Sequence, residues 1–212
     1  DAPLVKVTDN IYSLELFHGP TLAFKDVGGR FMSLLLGYFI QKEGQKGNVN
    51  VLVATSGDTG SAVANGFLGV EGIHVYVLYP KGLVSAIQEC QFTTLGQNIT
   101  AIEVNGTFDD CQRLVKTAFM DADLNAQLKL TSANSINVAR FLPQSFYYFY
   151  AYAQLKKLGK ADNAVVCVPS GNFGNITAGL FGKKMGLPIK RFIAANNRND
   201  IFLEYLKTGE YK

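Results

Sequence analysis

Short apolar runs alternate with helix-like segments along almost the whole chain. The runs are rich in Val and Ile, which is typical of strands that are buried on both faces of a parallel sheet. Thr107 or Asp109 could cap the start of the helix-like segment near residues 107–122. The pattern predicts strands near residues 50–55, 73–80, 98–106, 128–133, 163–171 and 190–195.

The segments between these strands predict helices, near residues 56–69, 85–96, 107–122, 140–159, 175–186 and 200–209. A further apolar stretch, FMSLLLGYFI at 31–40, predicts a buried helix and is about half as long as a membrane span requires. Strands that alternate with helices imply βαβ units. The predicted fold class is therefore α/β with open parallel sheets.

The composition narrows the possible functions. Hydrophobic residues make up 48% of the 212 residues and charged residues 17%, which is typical of a globular protein with a sizeable core. The net charge of +3 comes without a long basic cluster, so binding to nucleic acid or to a membrane has little support. Cys90, Cys111 and Cys167 fit neither a disulfide framework nor a zinc site, and two histidines are too few for a metal centre. We expect a cytoplasmic protein without a metal ion.

The loop PSGNFGNITAG (169–179) follows a predicted strand and opens a predicted helix. Gly171 and Gly174 allow backbone angles that expose successive N–H groups, and the helix N-terminus adds a positive dipole end. The loop lacks the ending of a P-loop and the spacing of a dinucleotide fingerprint, which favours a single phosphate monoester. The alternative is a tight strand-to-helix turn that uses glycine only for close packing.

A second loop of small residues, ATSGDTGSA (54–62), also follows a predicted strand. Its hydroxyl groups and its glycine N–H groups would suit a small carboxylate. The alternative is an ordinary helix N-cap by Ser56 or Thr59.

The segment TSANSINVAR (131–140) offers a second possible phosphate site. Asn134 and Ser135 end a predicted strand, and Arg140 would reach the same pocket if a helical turn intervenes. Arginine presents a planar fork of donors that suits phosphate. The alternative is an Arg140 that pairs with a surface carboxylate.

Lys25 follows a Gly-Pro turn and the apolar residues Leu22, Ala23 and Phe24. An amine with a pKa near 10.4 is a poor nucleophile at neutral pH unless it is desolvated, and apolar neighbours would desolvate it. The alternative is a lysine whose stem covers apolar surface while its charge stays in water. A desolvated lysine together with a phosphate cradle is the combination that pyridoxal phosphate requires.

These motifs closely resemble the threonine synthases, a family of fold-type II pyridoxal-phosphate enzymes with the tryptophan synthase β-like fold. The matching segments are, in order, ELFHGPTLAFKDVGGRFM, ATSGDTGSA, TSANSINVARFLPQ and VPSGNFGNITAGLFGKKMGLPIKRFIAANNRND. They follow the family's order along essentially the whole chain. The resemblance implies a pyridoxal 5'-phosphate cofactor and open parallel sheets in two domains.

The resemblance also implies a role for each group of residues. Lys25 would form the Schiff base with the cofactor and then move protons, with Phe24 close to the cofactor and Asp58 near the pyridine 3-hydroxyl group. The cofactor phosphate would be held by Gly171, Asn172, Phe173, Gly174 and Asn175. The substrate carboxylate would be bound by Thr55, Ser56 and Thr59, and the substrate phosphate by Asn134, Ser135 and Arg140.

The implied reaction converts O-phospho-L-homoserine and water to L-threonine and phosphate. The nearest alternative is another fold-type II lyase, such as a serine/threonine dehydratase or a cysteine synthase, which needs no site for a substrate phosphate. A further alternative is a non-catalytic fragment of the fold. The expected assembly is a monomer or a homodimer.

The polar segment KEGQKGNVN (42–50) is a plausible crossing between domains. With the resemblance, it predicts that 1–47 and 128–212 form part of a larger cofactor-binding domain and that 48–127 form a smaller α/β domain. Chains of this family are about twice as long. We therefore expect an internal, truncated fragment that lacks the partner of the pyridine nitrogen and whose own activity is an open question.

Overall fold

The structure is a computed structural model, in which residues 2–44, 47–134, 137–169 and 171–210 are described. Their strands are β1 (Leu4–Thr8), β2 (Ile11–Leu14), β3 (Val49–Ala54), β4 (Ile73–Pro80), β5 (Ile99–Val104), β6 (Lys129–Ser132), β7 (Val165–Pro169) and β8 (Arg191–Ala195). Their helices are α1 (Asp26–Lys42), α2 (Asp58–Phe67), α3 (Ala86–Thr93), α4 (Phe108–Met120), α5 (Ala122–Gln127), α6 (Val138–Phe141), α7 (Ser145–Lys157), α8 (Gly174–Lys184) and α9 (Ile201–Thr208). A 3-10 turn, Leu142–Gln144, lies between α6 and α7.

The chain divides into two compact units, Asp1–Gln144 and Ser145–Lys212. The first unit is built on a parallel sheet with the strand order β5-β4-β3-β6. Val51, Val53, Val75 and Val77 are completely buried because helices cover both faces of the two central strands. With Phe67 of α2 they form the centre of the hydrophobic core.

Glycines bring α1 and α2 into close contact in this unit. A Cβ atom at Gly29 would lie 2.5 Å from the carbonyl oxygen of Ala62, and one at Gly66 would lie 2.7 Å from the carbonyl carbon of Gly29. Only residues without a Cβ allow the two backbones to approach this closely. Since α1 starts directly after Lys25 and α2 starts at Asp58, this contact fixes how the two side chains face each other.

The second unit contains a parallel pair of strands, β7 and β8, with α7 and α8. The Tyr148 ring of α7 packs edge-on against Phe192 of β8, with ring centroids 5.9 Å apart. A Cβ atom at Gly179 of α8 would lie within 2.7 Å of both rings, so glycine is required where the helix crosses them.

The predicted α/β class with parallel sheets is confirmed, and each predicted strand has a counterpart. The antiparallel hairpin of β1 and β2 was not predicted. The single helix predicted over 140–159 is wrong, because the chain forms α6, a 3-10 turn and α7 instead. Pro143 lies at this break, and proline has no N–H group with which to continue a helix. The short helix α5 was also not predicted, and α4 ends at Met120.

The helix predicted as buried at 31–40 is buried on one face only. Met32 and Ile40 lie in the core, whereas Leu34 is 72% exposed and Tyr38 56% exposed. Among the described residues, no helix is long and apolar enough to cross a membrane. The predicted grouping of 1–47 with 128–212 into one domain stays a prediction.

Candidate active site

The loop before α1 is held by a buried carboxylate. Asp26, the first residue of α1, accepts hydrogen bonds from the backbone N–H of Thr21 at 3.1 Å and from its hydroxyl group at 2.5 Å. Leu22, between them in sequence, has a positive φ of 59°. The hydrogen bonds therefore close a tight loop that ends at Lys25 and fixes where its side chain begins.

Lys25 is an amine in a largely desolvated position. Its side chain is 19% exposed, its Nζ lies 5.8 Å from the centre of the Phe24 ring, and Asp58 Oδ2 lies 3.8 Å from Nζ. Burial lowers the pKa of Lys25 from its usual 10.5; the negative charge of Asp58 acts in the opposite direction, and the positive charge of Arg140 lowers the pKa further. The neutral amine, which is the nucleophilic form, is thus favoured relative to a surface lysine.

The loop ATSGDTGSA is organised around a buried threonine. The Thr55 hydroxyl oxygen accepts hydrogen bonds from the N–H groups of Gly57 at 2.9 Å and Gly60 at 2.8 Å, and the hydroxyl group donates to the carbonyl oxygen of Gly57 at 3.0 Å. This network shapes the turn that places Asp58 at the start of α2. Ser56 is exposed and Thr59 is half-buried. The proposed binding of a substrate carboxylate by Thr55, Ser56 and Thr59 stays a prediction.

Asn134 connects the carboxyl ends of two neighbouring strands. Its side-chain oxygen accepts a hydrogen bond from the N–H of Ala54, the last residue of β3, at 3.2 Å. Ser135 lies outside the described residues. Asn137 then caps α6, since its side-chain oxygen accepts from the N–H of Ala139 at 3.0 Å. This short turn brings Arg140 back beneath the strand ends.

Arg140 is the largest completely buried side chain of the described residues. Its Nη1 donates to the carbonyl oxygen of Ala133 at 2.7 Å, while Nε and Nη2 have no hydrogen-bond partner in the described part of the chain. Burial lowers the pKa of Arg140 to about 10, so the guanidinium stays charged at neutral pH. A buried cation with two open donors is a site for an anion. The alternative, pairing with a surface carboxylate, is wrong because the side chain is not at the surface.

The second unit carries the glycine-rich loop. Phe173 adopts a left-handed backbone (φ 58°) directly before α8, and a Cβ atom at Gly171 or Gly174 would meet nothing within 4 Å. Asn175 fixes the loop, since its side chain donates to the carbonyl oxygen of Pro169 at 3.0 Å and its own carbonyl oxygen accepts from the Tyr148 hydroxyl group at 2.6 Å. Open space at the start of an eleven-residue helix suits a phosphate group.

The first unit therefore brings Lys25, Asp58 and Arg140 into electrostatic contact. The sequence did not indicate two further contacts of this site. Thr21 closes the lysine loop, and the side-chain amide of Gln88 on α3 donates a hydrogen bond to Asp58. Gln88 stands three residues after Ser85, a spacing that is typical of a helix start and says nothing of Asp58.

Known proteins resemble this chain over its whole length. The chain is 58% identical over 210 residues to the threonine synthase of Haemophilus influenzae and 52% identical over 210 residues to that of Escherichia coli. Each match covers 99% of this chain and 48% of the relative. The chain spans about half the length of the curated relatives it matches.

Solved structures show the same similarity. The crystal structure of threonine synthase from Escherichia coli matches with a TM-score of 0.88 at 49% identity, over 100% of this chain and 48% of that one. The structure of PLP-bound threonine synthase from Brucella melitensis matches with a TM-score of 0.87 at 45% identity, over 100% of this chain and 45% of that one. The predicted fold-type II architecture is thereby confirmed. The family described as pyridoxal-phosphate dependent enzyme matches residues 3–212, and the chain belongs to this family.

Proposed function

We propose that this chain is part of a threonine synthase, which converts O-phospho-L-homoserine and water to L-threonine and phosphate. The observation that carries the proposal is the buried guanidinium of Arg140, which has two open donors among the described residues and whose positive charge acts on the desolvated amine of Lys25. An enzyme of this fold that acts on an unphosphorylated amino acid has no need of an anion site beyond those for the cofactor phosphate and the substrate carboxylate. The threonine synthases that cover the whole chain at 58% and 52% identity support the same choice.

The residues present fit pyridoxal 5'-phosphate. Lys25 would join its aldehyde, Asp58 would face its 3-hydroxyl group, and Gly171, Asn172, Phe173, Gly174 and Asn175 would hold its phosphate. The space left at Gly171 and Gly174 and the lowered pKa of Lys25 support this assignment. Bound there, the cofactor supplies an electron sink for the negative charge that develops at the substrate Cα.

The chain's own residues would then bind and move protons. The Lys25 amine, whose pKa is lowered by burial, would accept the proton of the substrate Cα and return protons later. Arg140 would bind the substrate phosphate beside Asn134 and Ser135 and stabilise the charge that it carries away as it leaves. In a site closed to water, one such donor is worth about 3–4 kcal/mol of the barrier. Thr55, Ser56 and Thr59 would orient the substrate through its carboxylate.

The test measures turnover in a protein of the relatives' full length that carries this chain. We expect release of phosphate and formation of L-threonine from O-phospho-L-homoserine, without comparable deamination of L-serine or L-threonine. Arg140→Met should reduce kcat/KM about 100- to 1000-fold. Arg140→Lys should keep only part of the original kcat/KM, because an ammonium group lacks the planar fork of donors. Full activity of Arg140→Met, or preferred turnover of L-serine, would favour the alternative lyase.

A separate measurement distinguishes an enzyme from a non-catalytic fragment. Addition of pyridoxal phosphate should give a visible absorption band that becomes resistant to dialysis after borohydride reduction, with the label on Lys25 by mass spectrometry. Lys25→Met should abolish the label. A protein that stays colourless at saturating cofactor would favour the non-catalytic alternative. A cytoplasmic location and a monomeric or homodimeric assembly belong to the same proposal.

A further inference from the structure

Helix α3 contacts the start of α2 through one side chain. Nε2 of Gln88 donates a hydrogen bond to Oδ1 of Asp58, thirty residues away in sequence. The other carboxylate oxygen of Asp58, Oδ2, faces Lys25 at 3.8 Å. The two oxygens of Asp58 thus have different partners, one on α3 and one at the start of α1.

The Gln88 amide has only one orientation that serves both of its neighbours. Its oxygen accepts a hydrogen bond from the Ser85 hydroxyl group at 2.8 Å, which leaves the NH₂ group to face the carboxylate. A flipped amide would place its oxygen against a carboxylate oxygen, and neither group carries a proton to donate. The Asp58 carboxylate therefore selects the NH₂ end of Gln88, and the Ser85 hydroxyl group supports this orientation by donating to the amide oxygen.

The space for this amide is provided by a glycine. Gly57 has a φ of 140°, and a Cβ atom there would lie 2.5 Å from Oε1 of Gln88. The Ser61 hydroxyl group also donates to the backbone carbonyl oxygen of Gln88 at 3.2 Å. The start of α2 is thus shaped to receive Gln88, in backbone as well as in side chain.

Apart from the ion pair with Lys25, the Asp58 carboxylate is held among the described residues by this hydrogen bond. Its side chain is 45% exposed, so rotation towards water is open to it. The charged groups that act on the Lys25 amine are Asp58 from α2 and Arg140 from α6. Asp26 of α1 is occupied by Thr21. Arg140 and Asp26 are buried, whereas the side chain of Asp58 is half-exposed. Rotation of the Asp58 side chain can therefore change its distance to the amine.

We propose that Gln88 is a positioning residue that holds the Asp58 carboxylate towards the Lys25 amine and thereby favours the protonated form of that amine. Its importance for catalysis rests on the proposed function, whereas the geometry stands without it. Gln88 itself touches neither Lys25 nor any reacting atom that we assign.

The test titrates Lys25 in a cofactor-free protein of the relatives' full length that carries this chain. Acetic anhydride is reacted at a series of pH values, and acetylation of Lys25 is quantified by mass spectrometry to give the pH midpoint of its labelling. We expect Gln88→Met to lower the midpoint by about 0.5, because an opposite charge moves away from the ammonium. Ser85→Ala should lower it by less, since Gln88 keeps its donor but loses its anchor.

Two controls separate positioning from loss of structure. Gln91→Met makes the same chemical change three residues along α3 and removes a contact to the carbonyl oxygen of Thr21, so it reports how far a loosened lysine loop alone moves the midpoint, and its shift should be clearly smaller than that of Gln88→Met. In the Asp58→Asn background, Gln88→Met should have no further effect, since it acts only through Asp58. Equal shifts in Gln88→Met and Gln91→Met, an unchanged or raised midpoint in Gln88→Met, or a full effect of Gln88→Met in the Asp58→Asn background would overturn the proposal. Failure to bind pyridoxal phosphate would overturn the proposed function and leave this inference standing.

Discussion

The guanidinium of Arg140 donates a hydrogen bond from Nη1 to the carbonyl oxygen of Ala133 at 2.7 Å. The side chain is completely buried, and its Nε and Nη2 have no partner in the described part of the chain. Each buried donor without a partner costs about 1–3 kcal/mol of stability. A fold that keeps such a group at this cost gains something other than stability from it, and an anion that accepts from both donors would recover the loss.

Arg140→Met should therefore separate stability from anion binding. Methionine replaces the apolar stem of the arginine and has no donors, and loss of the two donors without partners should offset the smaller side chain, so the melting temperature without ligand should stay the same or rise by a few degrees. The rise in melting temperature that inorganic phosphate gives the original chain should shrink. Arg191→Met, which changes an exposed arginine of β8, should leave the phosphate effect intact. A phosphate effect that survives Arg140→Met unchanged would contradict the assignment.

The protonation of Lys25 should respond to its two charged neighbours with opposite signs. Burial lowers the pKa of Lys25, Asp58 raises it, and Arg140 lowers it. Asp58→Asn should thus lower the pH midpoint of Lys25 acetylation, and Arg140→Met should raise it. An exposed lysine such as Lys157 serves as an internal reference in every sample. Shifts of the same sign in the two variants would show that the variants act through loosened packing instead of through charge.

The same pKa shift makes the effect of Lys25 on stability depend on pH. The folded-state pKa of Lys25 lies below the unfolded value of 10.5. At every pH below the folded-state pKa, the buried charge therefore lowers the free energy of unfolding. This cost disappears as the pH rises through the folded pKa towards 10.5. Lys25→Met should therefore raise the free energy of unfolding at pH 7, and the gain over the original chain should shrink as the pH rises towards 10.5. A gain that stays constant over this range would contradict a lowered pKa.

The sequence predicted what local patterns encode and missed what tertiary contacts decide. The run NVLVAT predicts a strand at 50–55, and β3 covers Val49–Ala54, because a continuous apolar run fits the interior of a parallel sheet. The hairpin of β1 and β2 was missed because Val5, Val7 and Ile11 are exposed and give no buried face to detect. Pro143 could have been recognised as the break in the helix predicted at 140–159.

The candidate site follows the same division. Lys25, Asp58 and Arg140 could be selected from motifs, since each is carried by a short segment of characteristic residues. That these three residues lie in one site could not be predicted from the motifs. It depends on how α1 packs on α2 and on where the short helix α6 places Arg140. Gln88 had no signal of its own, since its contact with Asp58 joins two elements that are thirty residues apart.

The glycine contact between α1 and α2 should be essential for stability. Gly29→Ala places a Cβ atom 2.5 Å from the carbonyl oxygen of Ala62, a backbone atom that cannot move without shifting the helix. We expect a loss of about 1–3 kcal/mol in the free energy of unfolding by urea denaturation, although alanine favours helices. Gly182→Ala in α8 is the matched control, because its Cβ atom would meet Leu187 at an ordinary 3.5 Å. That variant should be neutral or gain up to about 1 kcal/mol, and equal losses in both variants would contradict the packing argument.

The buried hydrogen bond between Thr21 and Asp26 should hold the lysine loop in place. Thr21→Val keeps the shape of the side chain and removes the hydroxyl donor, which leaves one oxygen of a buried carboxylate without that partner. The expected loss is about 1–3 kcal/mol in the free energy of unfolding, and Thr21→Ser should recover most of it. Thr93→Val, at an exposed position of α3 whose hydroxyl group donates to the carbonyl oxygen of Glu89, should change stability by less than about 0.5 kcal/mol. A Thr21→Val variant as stable as the original chain, or equal small losses in Thr21→Val and Thr93→Val, would contradict a structural role for this hydrogen bond.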